Sequence, residues 1–182
     1  MKIKLSIIGL ITILLISNIS LSKTIEQKDE DYDINGCILF TPWLDTSTYL
    51  INTDGQIVNK WNSNHVRGFP VYLLENGNLL RADSAGFGIP LKFFCTGGCS
   101  GRVEMFNWEG EKIWNFRYVS LKHCLHNDIE PLPNGNVLML VWDLKTYKEA
   151  LDAGMKPEGL GRGGVMVDRI IEVEPTFPRG GN

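Results

Sequence analysis

From about residue 36 onward, short apolar runs alternate with polar turn residues. "YLINTDGQIVNKW" (Tyr49 to Trp61) places Asp-Gly between two such runs, and "VYLLENGNLLRAD" (Val71 to Asp83) places Asn-Gly-Asn between the next two. The order then recurs. "VEMFNWEGEKIWNF" (Val103 to Phe116) carries Glu-Gly, and "DIEPLPNGNVLMLVWD" (Asp128 to Asp143) carries a second Asn-Gly-Asn. Asn-Gly and Asp-Gly between apolar runs predict tight hairpins, with both turn residues at positive φ. Each half therefore reads as strand, acidic-Gly turn, aromatic-bearing strand, loop, strand, Asn-Gly-Asn turn, apolar strand. The turn glycines Gly55 and Gly110 stand 55 positions apart, and Gly77 and Gly135 stand 58 apart. A four-strand antiparallel unit recurring near this length predicts an all-β fold built of β-propeller blades with extended loops. A β-sandwich is the alternative.

Both faces of the strand in "VLMLVW" are apolar: Val137, Met139 and Val141 on one, Leu138, Leu140 and Trp142 on the other. Such a strand is expected to be covered on both sides, as in stacked blades. "KTYKEALDAG" (Lys145 to Gly154) breaks the pattern. Leu151 follows Tyr147 by four and Gly154 supplies a stop, which predicts one short inserted helix. "DRIIEVEPTFPRGGN" (Asp168 to Asn182) repeats the order of "GRVEMFNWEGE" and is expected to open a third unit. The chain then holds about two four-stranded blades and the start of a third. Repeat folds usually need three or more units to bury a continuous core. Residues 36–182 are accordingly expected to be the N-terminal, truncated part of a larger β-propeller.

The first 22 residues read as an address. "MKIK" supplies positive charge, "LSIIGLITILLI" is apolar but short for a membrane span, and Ser20 and Ser22 suit cleavage after Ser22. Export to the periplasm or the extracellular space is expected, with membrane attachment only through an uncleaved signal segment. Residues 23–35 form a polar, flexible lead-in. Export gives meaning to the four cysteines, which pair in an oxidising compartment. Cys95 and Cys99 in "CTGGC" form the favoured bridge, and Cys37 with Cys124 follows by elimination. A rival zinc site would join Cys95, Cys99, His123, Cys124 and His126, but the spacings match no standard zinc pattern. A net charge of -3 gives no reason to expect a nucleic-acid partner.

The ordered set "YLINTDGQIVNKW", "VYLLENGNLLR", "GGCSGRVEMFNWEGEKIWNF", "LHNDIEPLPNGNVLMLVWDLKTYKEALDAG" and "DRIIEVEP" resembles the arylsulfotransferase family. The resemblance runs from about Gly36 to Asn182. It implies an exported enzyme with a six-bladed propeller that moves a sulfuryl group from an aryl sulfate to a phenol. The route it implies runs through a sulfohistidine, without a nucleotide donor, cofactor or metal. Small phenols and aryl sulfates are the implied partners. His126 matches the first histidine of the family's His-His-Asp-Ile stretch, and Asn127 stands where the second is expected. By this match His126 lines the channel rather than acting as nucleophile, and Asp128 orients a neighbouring group. Asn127 and Arg81 are the candidate substrate contacts. The nucleophilic histidine and the family's arginine are expected beyond Asn182. His65 is a further channel candidate, and His123 is read as a loop residue. A non-catalytic extracytoplasmic propeller that presents loops to a partner is the alternative reading, since a fold alone does not fix a function.

Overall fold

The computed structural model describes residues 36–85 and 98–182. The expectations for the signal segment, the lead-in and Cys95 lie outside the described residues. The described residues form ten strands: β1 (Cys37–Phe40), β2 (Ser47–Asn52), β3 (Ile57–Asn62), β4 (Arg67–Leu73), β5 (Leu79–Ser84), β6 (Gly101–Phe106), β7 (Lys112–Arg117), β8 (His123–Pro131), β9 (Val137–Lys145) and β10 (Val165–Val173). They form three antiparallel sheets, β1-β2-β3, β4-β5-β6-β7 and β8-β9-β10.

The sequence repeat and the hydrogen-bonded sheets are out of phase by two strands. The four-stranded sheet joins the last two strands of the first repeat to the first two of the second, with Leu79 opposite Phe106 and Ser84 opposite Gly101. Likewise β10 does not open a separate unit. It pairs with β9 along nine residues, from Val165 opposite Lys145 to Val173 opposite Val137.

The hairpins are where the turn residues placed them, but their geometry differs from the expected two-residue turns. Only the glycines Gly55, Gly77, Gly110 and Gly135 take positive φ in these turns, between 77° and 89°. The Asn52 N–H donates to Gln56 O at 3.0 Å, and the Gln56 N–H returns to Asn52 Oδ1 at 2.8 Å. Asn107 and Glu111 repeat this pair at 2.9 and 2.7 Å. These are three-residue loops in which a type I turn is followed by a left-handed glycine. One residue at positive φ is enough there, and glycine adopts it without steric cost.

Alternation along the strands divides the four-stranded sheet into two unlike faces. Leu80, Ala82, Val103, Met105 and Trp114 meet Leu125, Ile129, Val137, Met139 and Val141 of the third sheet in the main core. Leu79 and Phe106 on the other face meet Leu50 and Trp61 of the first sheet. Beside that small apolar patch the same face carries Arg81, Asp83 and Glu104, all buried. On β9, Val137, Met139 and Val141 are buried as expected, whereas Leu138, Leu140 and Trp142 are half-buried. Ile170, opposite Leu140, is exposed.

Two tryptophans on outer strands tie their sheets to later parts of the chain. Trp61 donates its indole N–H to Asn107 O at 2.8 Å, in the β6–β7 turn. Trp114 donates to Gly180 O at 2.7 Å, in the segment after β10.

The expected helix is α1 (Tyr147–Asp152). Thr146 caps it with a reciprocal box: the Glu149 N–H donates to Thr146 Oγ1 at 3.2 Å, and the Thr146 N–H donates to Glu149 Oε2 at 2.7 Å. Six residues are too few to hold a helix by propensity alone. Replacing Thr146 with Ala is expected to cost about 1 kcal/mol and to speed hydrogen exchange at the Ala150 and Ala153 amides.

Candidate functional site

The site forms around an irregularity in β8. Leu125 pairs with Val141 and Ile129 with Met139, so four steps on β8 face two on β9. The extra length bulges at His126, Asn127 and Asp128, and Asn127 sits at φ 51. Bulges of this kind re-aim side chains away from the regular pleat. The same irregularity occurs in β4, where Arg67 faces Asp83 and Val71 faces Arg81. Leu125 lies 58 residues after Arg67 and Ile129 lies 58 after Val71, the spacing of the two Asn-Gly-Asn turns. The repeat thus places His126 where the first copy has Gly68, and Asn127 where it has Phe69.

His126 is 4% exposed and lies flat on Trp142, with ring centroids 4.1 Å apart and an 11° interplanar angle. The Gly98–Ser100 segment covers its strand from the side. Asn127 N–H donates to Gly98 O at 2.7 Å, Ser100 N–H donates to Leu125 O at 3.0 Å, and Cys99 bridges to His126. Gly98 takes φ 90, and a Cβ there would collide with Asn127 Oδ1. His126 Nε2 lies 3.1 Å from Asp168 Oδ1 on β10, within ion-pair range. The approach is off the line of the N–H, so neither ring nitrogen has an aligned hydrogen-bond partner in the structure. Burial lowers the His126 pKa below the ordinary histidine value, and Asp168 opposes that only in part. The ring is therefore neutral at pH 7, with one N–H to donate and one lone pair to accept.

Asp128 accepts from Ile129 N–H at 3.0 Å and from the Tyr72 hydroxyl at 3.3 Å. Tyr72 is pushed up to about 12 by burial and by the Asp128 carboxylate, so the phenol keeps its proton. His126, Asn127 and Asp128 thus share one bulge. Sequence reasoning missed Trp142, Tyr72 and Asp168, which come from β9, β4 and β10. Trp142 had a trace in the sequence, as an aromatic ending an apolar strand; the other two had none.

The remaining expected residues lie elsewhere. The His123 ring stacks on Tyr118 at 4.1 Å, and its Nδ1 lies 3.2 Å from Ser120 Oγ. Burial lowers its pKa also. Arg81 is 1% exposed and fully engaged by protein acceptors. It donates to Asp83 Oδ1 at 2.7 Å, Thr46 O at 2.8 Å, Thr48 Oγ1 at 2.9 Å and His65 O at 3.3 Å. The Cys37–Cys124 bridge expected by elimination is not formed. Cys37 is exposed on an edge strand of the first sheet, and Cys124 is buried in the third. The Cys124 thiol instead donates to Leu125 O at 3.2 Å and packs beside Cys99, whose proximity, with burial, raises the Cys124 pKa while Cys124 lowers that of Cys99.

One group of three potential metal ligands converges among the described residues, and it is not the expected Cys–His set. His65, Asp83 and Glu104 bring ligand atoms within 4.8 Å of one another between the first and second sheets. Glu104 accepts from Ser63 Oγ at 2.6 Å and from Lys112 Nζ at 2.9 Å. His65 Nδ1 lies 3.2 Å from Glu104 Oε1 without hydrogen-bond alignment. Burial pushes Asp83 up to about 8 against the pull of Arg81. Burial pushes Glu104 up, but the bonds from Ser63 and Lys112 outweigh it and hold Glu104 below its ordinary value.

Compared with protein-family models and with curated proteins, the chain finds no match. The functional reading rests on the residues of the bulge and their geometry.

Proposed function

We propose that the three sheets are blades of a β-propeller and that the protein is an exported arylsulfotransferase, of which this chain supplies the His126 bulge. The observation that carries this reading is His126 itself: a buried, neutral imidazole held flat on Trp142, with ring nitrogens lacking aligned partners. A buried polar group left in that state costs stability unless a ligand satisfies it. The repeated bulge of β4 and β8 supports the propeller part, since equivalent irregularities on inner strands face a common axis in such folds. The polar bulge suits sulfuryl oxygens or a phenol hydroxyl.

In this reading the sulfuryl group leaves the donor phenol oxygen for a histidine nitrogen elsewhere in the protein, with release of a phenolate. The acceptor phenol oxygen then bonds the sulfur as the N–S bond breaks, and its proton passes through solvent to the released phenolate. His126 donates a hydrogen bond to a sulfuryl or phenolic oxygen as charge develops there, Asn127 adds an amide contact, and Asp128 fixes Tyr72. Arg81, bonded on every side, supports the adjacent sheet.

The test is transfer from a nitrophenyl sulfate to a phenol, followed by nitrophenolate release. His126→Phe keeps a flat ring on Trp142 and removes both nitrogens. It is expected to lower kcat by about 10²–10³-fold, the usual cost of one donor aimed at developing charge, with an unchanged circular dichroism spectrum. Equal rates would make His126 a packing residue. Absence of transfer in the parent protein, with retained binding of a macromolecular partner, would favour the non-catalytic propeller.

A further inference from the structure

The polar pocket between the first and second sheets lies apart from the His126 bulge and is made differently. Its members share one face of β5 and β6, since Arg81 and Glu104 stand directly opposite each other and Asp83 is two residues on. His65 reaches it from the connection between β3 and β4. Asp83 is fully buried, and its Oδ2 has no hydrogen-bond partner, while Arg81 holds Oδ1. His65 Nδ1 is likewise buried without an aligned partner. Ligand atoms of these two residues converge with a Glu104 oxygen, and each carboxylate is anchored from behind, Asp83 by Arg81 and Glu104 by Ser63.

We propose that His65, Asp83 and Glu104 form a binding site for one divalent transition-metal ion that clamps the first sheet to the second. One imidazole nitrogen and two carboxylate oxygens suit a borderline or hard first-row ion such as Mn²⁺ or Fe²⁺. The Arg81 and Ser63 bonds supply the outer support that orients metal-bound carboxylates. Partial exposure of the His65 side chain, 25%, leaves a way in from solvent. The charges around the pocket set its conditions. Arg81, Arg102 opposite Asp83, and Lys112 on Glu104 are cationic. Binding must swing the one-third-exposed Lys112 ammonium off Glu104.

The test uses the metal-stripped protein and Mn²⁺, an ion with little affinity for thiolates, so that the four cysteines do not compete. Loss of the aqueous Mn²⁺ paramagnetic resonance signal reports binding. The expected result is one ion per chain and a melting temperature that climbs with Mn²⁺ concentration. Asp83→Asn, an isosteric change, and His65→Ala, at a partly exposed position, should each weaken binding at least 30-fold while keeping the parent's circular dichroism. Lys112→Met removes the competing ammonium and should tighten binding several-fold. No signal loss at millimolar Mn²⁺ overturns the proposal. So does binding that survives both Asp83→Asn and His65→Ala, or binding that weakens in Lys112→Met.

Discussion

Arg81→Met is expected to lower the free energy of unfolding by about 3–5 kcal/mol, the usual cost of removing one partner from a buried charge pair. Arg81 is the fully buried counter-charge of the Asp83–Glu104 pair, and it also satisfies Thr48 Oγ1 and the carbonyls of Thr46 and His65. Methionine fills similar space but donates nothing, and Lys112 at the rim cannot reach the same acceptors. Chemical denaturation measures the loss. The pH dependence of stability separates this account from simple misfit. Asp83 has a folded pKa raised to about 8 from an ordinary 3.8, so between those values the folded chain holds a proton that the unfolded chain has released. That contribution is fully present below pH 3.8 and fades as pH rises through about 8. Asp83→Asn should flatten the decline. Arg81→Met should extend it to higher pH, because the guanidinium that lowers the Asp83 pKa is gone. A loss below about 1 kcal/mol, with unchanged pH dependence, would show that the network is peripheral to stability.

Trp114→Ala is expected to cost about 3–5 kcal/mol, the range for deleting a buried aromatic side chain. Trp114 is fully buried among Leu80, Met105 and Val173, and its indole N–H holds Gly180 O, so alanine leaves a cavity and an unpaired carbonyl. Trp114→Phe separates the two parts. It retains most of the apolar volume and should cost roughly 1–2 kcal/mol, mainly the lost hydrogen bond. Trp43, at 68% exposure, is the control, and its replacement by alanine should stay within about 1 kcal/mol. Equal losses at Trp114 and Trp43 would contradict the assignment of Trp114 to the core. The tail from Glu174 to Asn182 should also become more accessible to protease in Trp114→Ala, because that contact holds Gly180 against β7.

The four hairpins were legible because a turn is a local event. A glycine that must take positive φ, beside an asparagine or acidic residue that closes the loop, identifies itself within about five residues. The finer turn type was not legible, since Asp-Gly and Asn-Gly serve both the two-residue and the three-residue loop. The helix was legible for the same local reason, from the Tyr147–Leu151 spacing and the Gly154 stop, whereas its capping box at Thr146 and Glu149 came only with the structure.

How hairpins join into sheets was decided elsewhere. The β5–β6 pairing closes across residues 85–100, a connection with no tight-turn signal, and β10 reaches β9 past the inserted helix. Those joins depend on which apolar faces meet, a long-range matter that no short window contains. The same division runs through the site. The sequence alone determined that His126, Asn127 and Asp128 fall together, because neighbours in the chain are neighbours in space. Only the tertiary structure brought Trp142 beneath the His126 ring, Tyr72 onto Asp128 and Asp168 towards Nε2. Only it turned Arg81, Asp83, Glu104 and His65 into one buried network, because a pairing register sets which side chains share a face and packing sets which of them lose water.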